Sequence, residues 1–239
     1  MSMKKTVSLI LKSLTAITSI VGVTLCLLGF ELDGYSHWYK RLFYFTLQSN
    51  VWIGVFMVVL LVLALAKVNL SEKAQKRLYV VKFMFTVSIA LTCIVFCSIL
   101  GPFAGDDFRA WSISSLLTHV FTPVFAIAEF FVDDMVVRLN FSHVALTTVP
   151  PLIYLIFAVV ASAFGVDFGR GDTFAYFFLD FRSPAGLLGF VKTSPPQMGV
   201  IYWMICFLGL VIGVAFLLAK LHPSVTRERR EKRKEARAH

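Results

Sequence analysis

Six long apolar stretches dominate this chain and restrict what it can fold into. Each supplies the ~20 residues that a helix needs to cross ~30 Å of hydrocarbon. A backbone in lipid must satisfy its own hydrogen bonds, and the stretches lack the alternation of apolar and polar residues that a barrel needs. We therefore predict an all-α fold, a polytopic bundle of six transmembrane helices at residues 9–30, 42–66, 80–100, 111–131, 143–164 and 199–220.

The sequence divides into a membrane domain and a charged tail. Residues 1–220 form the predicted six-helix transmembrane domain, and residues 221–239 form a basic tail. The tail has seven lysines and arginines against three glutamates, and so contributes +4 to the net charge of +9. Basic clusters beside a membrane more often hold anionic lipid headgroups than nucleic acid. We expect headgroup contacts for the tail and no nucleic-acid partner, and the sequence leaves the oligomeric state open.

Lysine and arginine residues outside the predicted helices indicate the orientation. Fifteen, counting Lys220 at the last position of the sixth predicted helix, lie on the side that holds both termini, and six lie on the opposite side. Cytoplasmic loops carry the excess of these residues. Both termini are therefore predicted to be cytoplasmic, in an integral membrane protein that we place in a bacterial cytoplasmic membrane.

The connection between helices 5 and 6, residues 165–199, is the longest in the chain and lies on the outer side. It contains several glycines and prolines, but its aromatic residues make it too apolar for a solvated linker. Long loops with apolar side chains of their own tend to be functional. We predict a lid over the outer mouth of the bundle, with Tyr176 and Phe178 contacting substrate. The alternative is an aromatic segment that only rests at headgroup level.

Two polar islands interrupt the apolar helices, at residues 45–50 in helix 2 and 118–123 in helix 4. Hydroxyl, amide and imidazole groups are costly in hydrocarbon unless they are paired or functional. At 1.5 Å per residue, Thr46 is predicted about 6 Å and His119 about 13 Å inside the same face. Both residues therefore fall in the outer half of the bilayer, where the two islands can form one pocket.

The chemistry that fits this pocket is acyl transfer to a hydroxyl. A threonine alcohol needs a base within about 3 Å, and imidazole is the usual one. Thr46 and His119 are the candidate nucleophile and base. The supporting candidates are Asn50 and Gln48 as oxyanion donors, Ser115 on the same helical stripe as the base, and Asp180 as a carboxylate that orients the imidazole.

Structural explanations for the polar residues remain open. Threonine, serine and asparagine often join membrane helices through interhelical hydrogen bonds. Glu129, with the neighbouring Asp133 and Asp134, is interpreted as part of an acidic cluster at the interface, with ion coupling as the alternative. Cys93 and Cys97 share a helix face but lack further ligands, so we interpret them as packing residues. No metal or cofactor is predicted.

The same islands carry a resemblance to a known family. Residues 45–50 at the start of helix 2, His119 four residues before Pro123, and Glu129 further on resemble the androgen-induced membrane hydrolases. Members of that family are six-helix threonine hydrolases that cleave fatty acid esters of hydroxy fatty acids (FAHFAs). The resemblance implies Thr46 as nucleophile and His119 as base. Residues 176–180 resemble an aromatic–Asp motif of bacterial relatives, whereas the long aromatic loop departs from the animal enzymes.

The sequence thus predicts an intramembrane hydrolase of lipid esters, FAHFAs or similar, that acts through an acyl-threonine on a membrane lipid substrate. The alternative is a non-enzymatic membrane protein that binds or transports lipid with the same polar islands. A transporter is expected to contain repeats or paired broken helices. The sequence shows neither, which disfavours transport.

Overall fold

Six helices that are long and apolar enough to cross a membrane form the protein. The computed structural model describes residues 3–102, 109–134, 137–192 and 197–222. Within these ranges the helices confirm the predicted all-α bundle and mark an integral membrane protein. They are α1 (Met3–Leu28), α2 (Phe45–Leu65), α3 (Glu72–Leu100), α4 (Ile113–Val132), α5 (Phe141–Ala163) and α6 (Val200–Leu221).

Two of the helices contain wide turns with the π-helical hydrogen-bond pattern. The last turn of α3, Phe96–Leu100, is one, and Leu117–Phe121 in the middle of α4 is the other. Pro123 follows the second turn and lacks the N–H that would bond to the carbonyl of His119 in a regular helix. π-turns occur frequently at functional sites, and here Phe96 and His119, one residue from each turn, stack on each other.

Three helices begin three or more residues away from their predicted starts. α1 begins at Met3 rather than near residue 9, so that it includes the polar residues before the apolar stretch. α2 begins at Phe45 rather than Leu42, because Trp38–Phe43 forms a separate 3-10 helix. α3 begins at Glu72 rather than residue 80, where the Ser71 hydroxyl caps it by accepting a hydrogen bond from the Ala74 N–H at 3.3 Å.

Helix α3 lies at the centre of the bundle, against α2, α4, α5 and α6, and α1 packs on α2 and α4. Small residues allow the close approach of α1 and α2. A Cβ atom at Gly54 would lie 2.3 Å from the Ser19 hydroxyl oxygen, and that hydroxyl donates to the Asn50 carbonyl at 2.7 Å. Close backbone contact of this kind is how membrane helices gain packing energy.

The described part of the long connection, residues 164–192 and 197–199, folds back over the end of the bundle where α2 begins. The Ser36 N–H donates to the Gly169 carbonyl at 2.8 Å, and Gly169 has a φ of +115°, which favours glycine. Phe178 packs on Trp203 and Phe207 of α6. The connection also contains two short antiparallel strands that the sequence did not predict, β1 (Phe190–Val191) and β2 (Gln197–Met198).

The last helix ends close to the predicted boundary between domain and tail. α6 ends at Leu221, one residue after the predicted end of the transmembrane domain. The predicted basic tail lies outside the described residues from residue 223 onward. Its contacts with lipid headgroups therefore stay a prediction.

Candidate functional site

The structure brings Thr46 and His119 together. Thr46 Oγ1 lies 3.3 Å from His119 Nε2, and both side chains are buried. Thr46 is the second residue of α2, and His119 is the seventh residue of α4. The contact therefore lies near the end of the bundle that the long loop covers. This juxtaposition is the one that the two polar islands predicted.

The opposite nitrogen of the His119 ring is held by the backbone of its own helix. Nδ1 lies 2.9 Å from the Ser115 carbonyl oxygen, which can only accept a hydrogen bond. This contact assigns the ring hydrogen to Nδ1. Nε2 then carries the lone pair that faces the Thr46 hydroxyl. Ser115 thus supports the base mainly through its carbonyl, although its hydroxyl also lies 3.1 Å from Nδ1.

An aromatic wall covers one face of the imidazole. Phe96 is fully buried and stacks on His119, with ring centroids 3.9 Å apart and an interplanar angle of 21°. The stacking fixes the ring plane and keeps water from that face. No sequence pattern indicated Phe96, because its position beside His119 depends on how α3 packs against α4.

Thr46 lies between two cavities of different chemistry. The apolar cavity has a volume of about 300 Å³ and is lined by side chains of α2, α3, α5, α6 and the long loop, among them Leu91, Leu155 and Met204. The polar cavity has a volume of about 320 Å³ and is lined by charged and hydroxyl groups, and also by His119. Thr46, Leu100 and Tyr176 line both cavities.

The polar cavity carries an ordered group of charges. Arg41 is buried and forms an ion pair with Asp33. The guanidinium groups of Arg41 and Arg170 each lie 4.7 Å from the centre of the Tyr35 ring, a distance typical of cation–π contacts. Arg109 and Asp172 also line this cavity. Sequence analysis counted the arginines only for orientation and did not place them at the site.

The structure corrects the oxyanion roles predicted for Asn50 and Gln48. The Asn50 amide nitrogen donates to the Thr46 carbonyl at 2.8 Å and to the Thr118 carbonyl at 2.9 Å, which uses both of its hydrogens. Asn50 therefore ties α2 to α4. The Gln48 amide donates to the Leu42 carbonyl at 3.0 Å, and its side chain lines neither of the two cavities.

The loop residues divide into one that lies away from the site and two that line it. Asp180 accepts a hydrogen bond from the Arg182 N–H at 2.9 Å and does not orient His119, because the Ser115 carbonyl holds that ring.

Tyr176 and Phe178 both line the apolar cavity, and their rings stack with centroids 4.9 Å apart. The Tyr176 hydroxyl oxygen lies 3.4 Å from the Thr46 backbone nitrogen.

The acidic residues at the end of α4, Glu129 and Asp133, belong to a second polar centre in which they pair with lysines. Glu129 is fully buried and forms ion pairs with Lys12 of α1 and Lys82 of α3. Both lysines also pair with Asp133. We call these four residues the ion cluster. It lines neither cavity, and sequence analysis missed it because the two lysines stand at the edges of apolar stretches.

Comparison with known proteins identifies no relative. No family model matches the chain, and no curated protein or solved structure matches it. Among the described residues, no group of three or more histidine, cysteine, aspartate or glutamate side chains is placed to hold a metal ion. The function of the protein is therefore inferred from the geometry around Thr46.

Proposed function

We propose that this protein is an intramembrane hydrolase of lipid esters, with Thr46 as nucleophile and His119 as general base. The observation that carries the proposal is the 3.3 Å contact between Thr46 Oγ1 and His119 Nε2, at the junction of two cavities. A nucleophile, a base and a group that orients the base form the usual unit of nucleophilic catalysis. Here the Ser115 carbonyl has the orienting role.

The acylation step follows from the position of the lone pair on Nε2. His119 takes the Thr46 hydroxyl proton while Oγ1 attacks the ester carbonyl carbon. The bond from that carbon to the alcohol oxygen then breaks, and His119 returns the proton to the departing alcohol. An acyl-threonine remains on α2.

Hydrolysis of the acyl-threonine requires water at the same base. His119 lines the polar cavity, whose hydroxyl and charged side chains suit water. A water molecule gives a proton to Nε2 and attacks the acyl carbon, and the fatty acid leaves as Thr46 regains its hydrogen. The reaction needs no metal or cofactor in this scheme.

The two cavities favour an amphiphilic ester as substrate. The apolar cavity suits an acyl chain, and the polar cavity suits the more polar part of the molecule. This division agrees with the resemblance to the androgen-induced hydrolases, which suggests FAHFAs or similar esters. We place the loop-covered end on the outer side of a bacterial membrane and both termini in the cytoplasm, from the charge distribution in the sequence.

Turnover of a branched long-chain fatty ester by the purified protein tests this proposal. Thr46→Ala should lower kcat by at least about 10³-fold, the order expected for a nucleophile–base pair. Thr86→Ala is the matched control, because the Thr86 hydroxyl is buried, donates to the Lys82 carbonyl at 2.8 Å and lines neither cavity. The control should keep wild-type turnover.

Covalent labelling distinguishes a hydrolase from a non-enzymatic lipid-binding protein. A fluorophosphonate that carries an alkyl chain should attach to Thr46 and fail to label the Thr46→Ala variant. Lipid that co-purifies without any turnover, together with absence of labelling, would favour the non-enzymatic lipid-binding protein. Full activity in both Thr46→Ala and His119→Ala would exclude the mechanism.

A further inference from the structure

The tetrahedral intermediate of ester cleavage carries a negative oxygen that needs hydrogen-bond donors. Neither Asn50 nor Gln48 is placed to supply them. We infer that the Tyr176 hydroxyl and the Thr46 backbone N–H form the oxyanion hole of this site, with the Tyr154 hydroxyl as a further donor. The inference rests on the proposed function and names residues that the sequence did not assign to this role.

The Thr46 N–H and the Tyr176 hydroxyl meet beside the nucleophile. The Thr46 nitrogen and the Tyr176 hydroxyl oxygen are 3.4 Å apart, which is long for a hydrogen bond. The carbonyl oxygen of an ester can therefore take the place of the Tyr176 oxygen as acceptor at little cost in free energy. The N–H belongs to the first turn of α2, where backbone donors lack partners within the helix. The helix dipole adds partial positive charge at this point. A negative oxygen bound here lies next to the attacking Oγ1.

Tyr176 is held in place and keeps its hydrogen. Its ring stacks on Phe178 with an interplanar angle of 9° and meets Tyr44 edge-on at 5.5 Å. Burial raises the pKa of Tyr176 to about 12, so the hydroxyl stays a neutral donor at physiological pH. The hydroxyl oxygen accepts from the Thr46 N–H, and this contact does not use the hydroxyl hydrogen, which can donate to a substrate. A donor fixed before the reaction is what stabilises a developing charge.

Tyr154 supplies an independent observation. Its side chain is only 6% exposed and lines the apolar cavity, yet its hydroxyl makes no hydrogen bond of ordinary length with the described residues. A buried hydroxyl without a hydrogen-bond partner lowers the free energy of unfolding by about 1–3 kcal/mol. Its ring lies 6.4 Å from that of Tyr176 and 5.2 Å from that of Phe45. The hydroxyl therefore has an unused donor near the start of α2.

The electron balance of the step places the charge at these donors. As the bond from Oγ1 to carbon forms, the π electrons of the carbonyl move to its oxygen, and the threonine proton moves to His119 Nε2. The negative oxygen accepts hydrogen bonds from the Tyr176 O–H and the Thr46 N–H. When the carbonyl re-forms, the carbon–oxygen bond to the alcohol breaks, and His119 protonates the alkoxide.

The Tyr176→Phe variant tests the inference, since it removes the hydroxyl and keeps the ring. We expect kcat to fall by about 10²–10³-fold, as for loss of one oxyanion donor, with little change in KM. Binding of a long-chain trifluoromethyl ketone, which forms a tetrahedral adduct with the nucleophile, should weaken by a similar factor. Binding of the corresponding ether, which forms no adduct, should stay unchanged.

Tyr79→Phe is the matched control. Tyr79 is also buried, its hydroxyl also makes no ordinary hydrogen bond with the described residues, and it stacks on Phe130 away from both cavities. Turnover and ketone binding should match the wild type. Tyr154→Phe should give a loss in ketone binding that is smaller than that of Tyr176→Phe.

A second variant keeps the test decisive if Tyr176→Phe does not fold. Replacement of Tyr176 by 3,5-difluorotyrosine retains the hydroxyl and lowers its pKa. Because only the protonated phenol can donate, the loss of kcat at alkaline pH should begin at a lower pH than in the wild type. An unshifted pH profile would contradict the inference, as would equal weakening of ketone and ether binding by Tyr176→Phe.

The outcomes distinguish this inference from the proposed function. Turnover that is lost in Thr46→Ala but retained in Tyr176→Phe would overturn the oxyanion role and leave the hydrolase proposal in place. Absence of ester turnover and of fluorophosphonate labelling in the wild-type protein would overturn both.

Discussion

The ion cluster and the Thr46–His119 site are both polar centres inside an apolar bundle, but they differ in how completely they are paired. The ion cluster balances Lys12 and Lys82 against two carboxylates, and it lines neither cavity. The Thr46–His119 site is formed by neutral groups and opens on two cavities. It contains a 3.3 Å contact to an imidazole and a 3.4 Å contact to a phenol.

This difference shows which buried polar groups indicate a binding or catalytic site. Buried charges in hydrocarbon must be paired, and the ion cluster meets that need by joining α1, α3 and α4. Polar groups with long contacts beside a cavity have hydrogen-bonding capacity left for a ligand. The ion cluster is therefore interpreted as part of the assembly of the bundle, and the Thr46–His119 site as the place where a substrate binds.

The largest expected effect is on turnover at the base. His119→Gln should lower kcat by about 10²–10⁴-fold, the usual contribution of a general base, with little change in thermal stability. His143→Gln is the control, because His143 caps α5 with Asn140 and lies outside both cavities. Steady-state turnover and melting in the same detergent would measure both. Matching losses of turnover in the two variants would contradict the role of His119 as general base.

The next effect is on stability at the ion cluster. Glu129→Leu leaves two buried lysines with Asp133 as the remaining carboxylate of the cluster, and removal of one partner from a buried ion pair costs about 3–5 kcal/mol. Turnover per folded molecule should stay at the wild-type value. The double variant Lys12→Met/Glu129→Leu removes a pair together and should recover much of the lost stability. A selective loss of turnover in Glu129→Leu would instead connect the ion cluster to catalysis.

A smaller effect is expected at Asn50. Asn50→Leu leaves the Thr118 carbonyl without its donor across the interface between α2 and α4, at a cost of about 1–3 kcal/mol. The melting temperature should fall, and kcat should fall by less than about tenfold. If kcat instead fell by about 10²-fold with unchanged stability, Asn50 would be an oxyanion donor after all.

The smallest effect is a pH dependence of stability at the ion cluster. Burial raises the pKa of Asp133, but the Lys82 and Lys12 ammonium groups outweigh it and hold the pKa below its usual value of 3.8. A lowered carboxylate pKa stabilises the fold at pH above 3.8, and this contribution is lost as the pH falls below that value. Melting curves of wild type and Asp133→Asn should converge in this acidic range. A constant difference between them at every pH would contradict the assignment.

The six-helix fold could be predicted because the length of apolar stretches alone determines it. The pairing of Thr46 with His119 could also be predicted, since helical spacing and depth locate both residues. The partners of Asn50 and Gln48 could not, because they depend on which backbone carbonyls the packed helices bring near. The stacking of Phe96 on His119 could not be predicted either, because it depends on how α3 and α4 pack.

The ion cluster shows a different limit of sequence analysis. The fully buried Lys82 lies near the predicted start of a helix, where its charge does not interrupt the apolar stretch. Its carboxylate partners are on α4, more than forty residues away in the chain. Only the packed structure reveals that these charges neutralise one another.

The most direct test of the central claim is a double-mutant cycle on Thr46 and His119, with turnover and thermal stability measured in one detergent. If the two residues act as one nucleophilic unit, Thr46→Ala, His119→Ala and the double variant should lose nearly the same turnover, because such units are non-additive. Stability should change little in each. Losses of turnover that add in the double variant and follow matching losses of stability would show that the pair only joins α2 to α4.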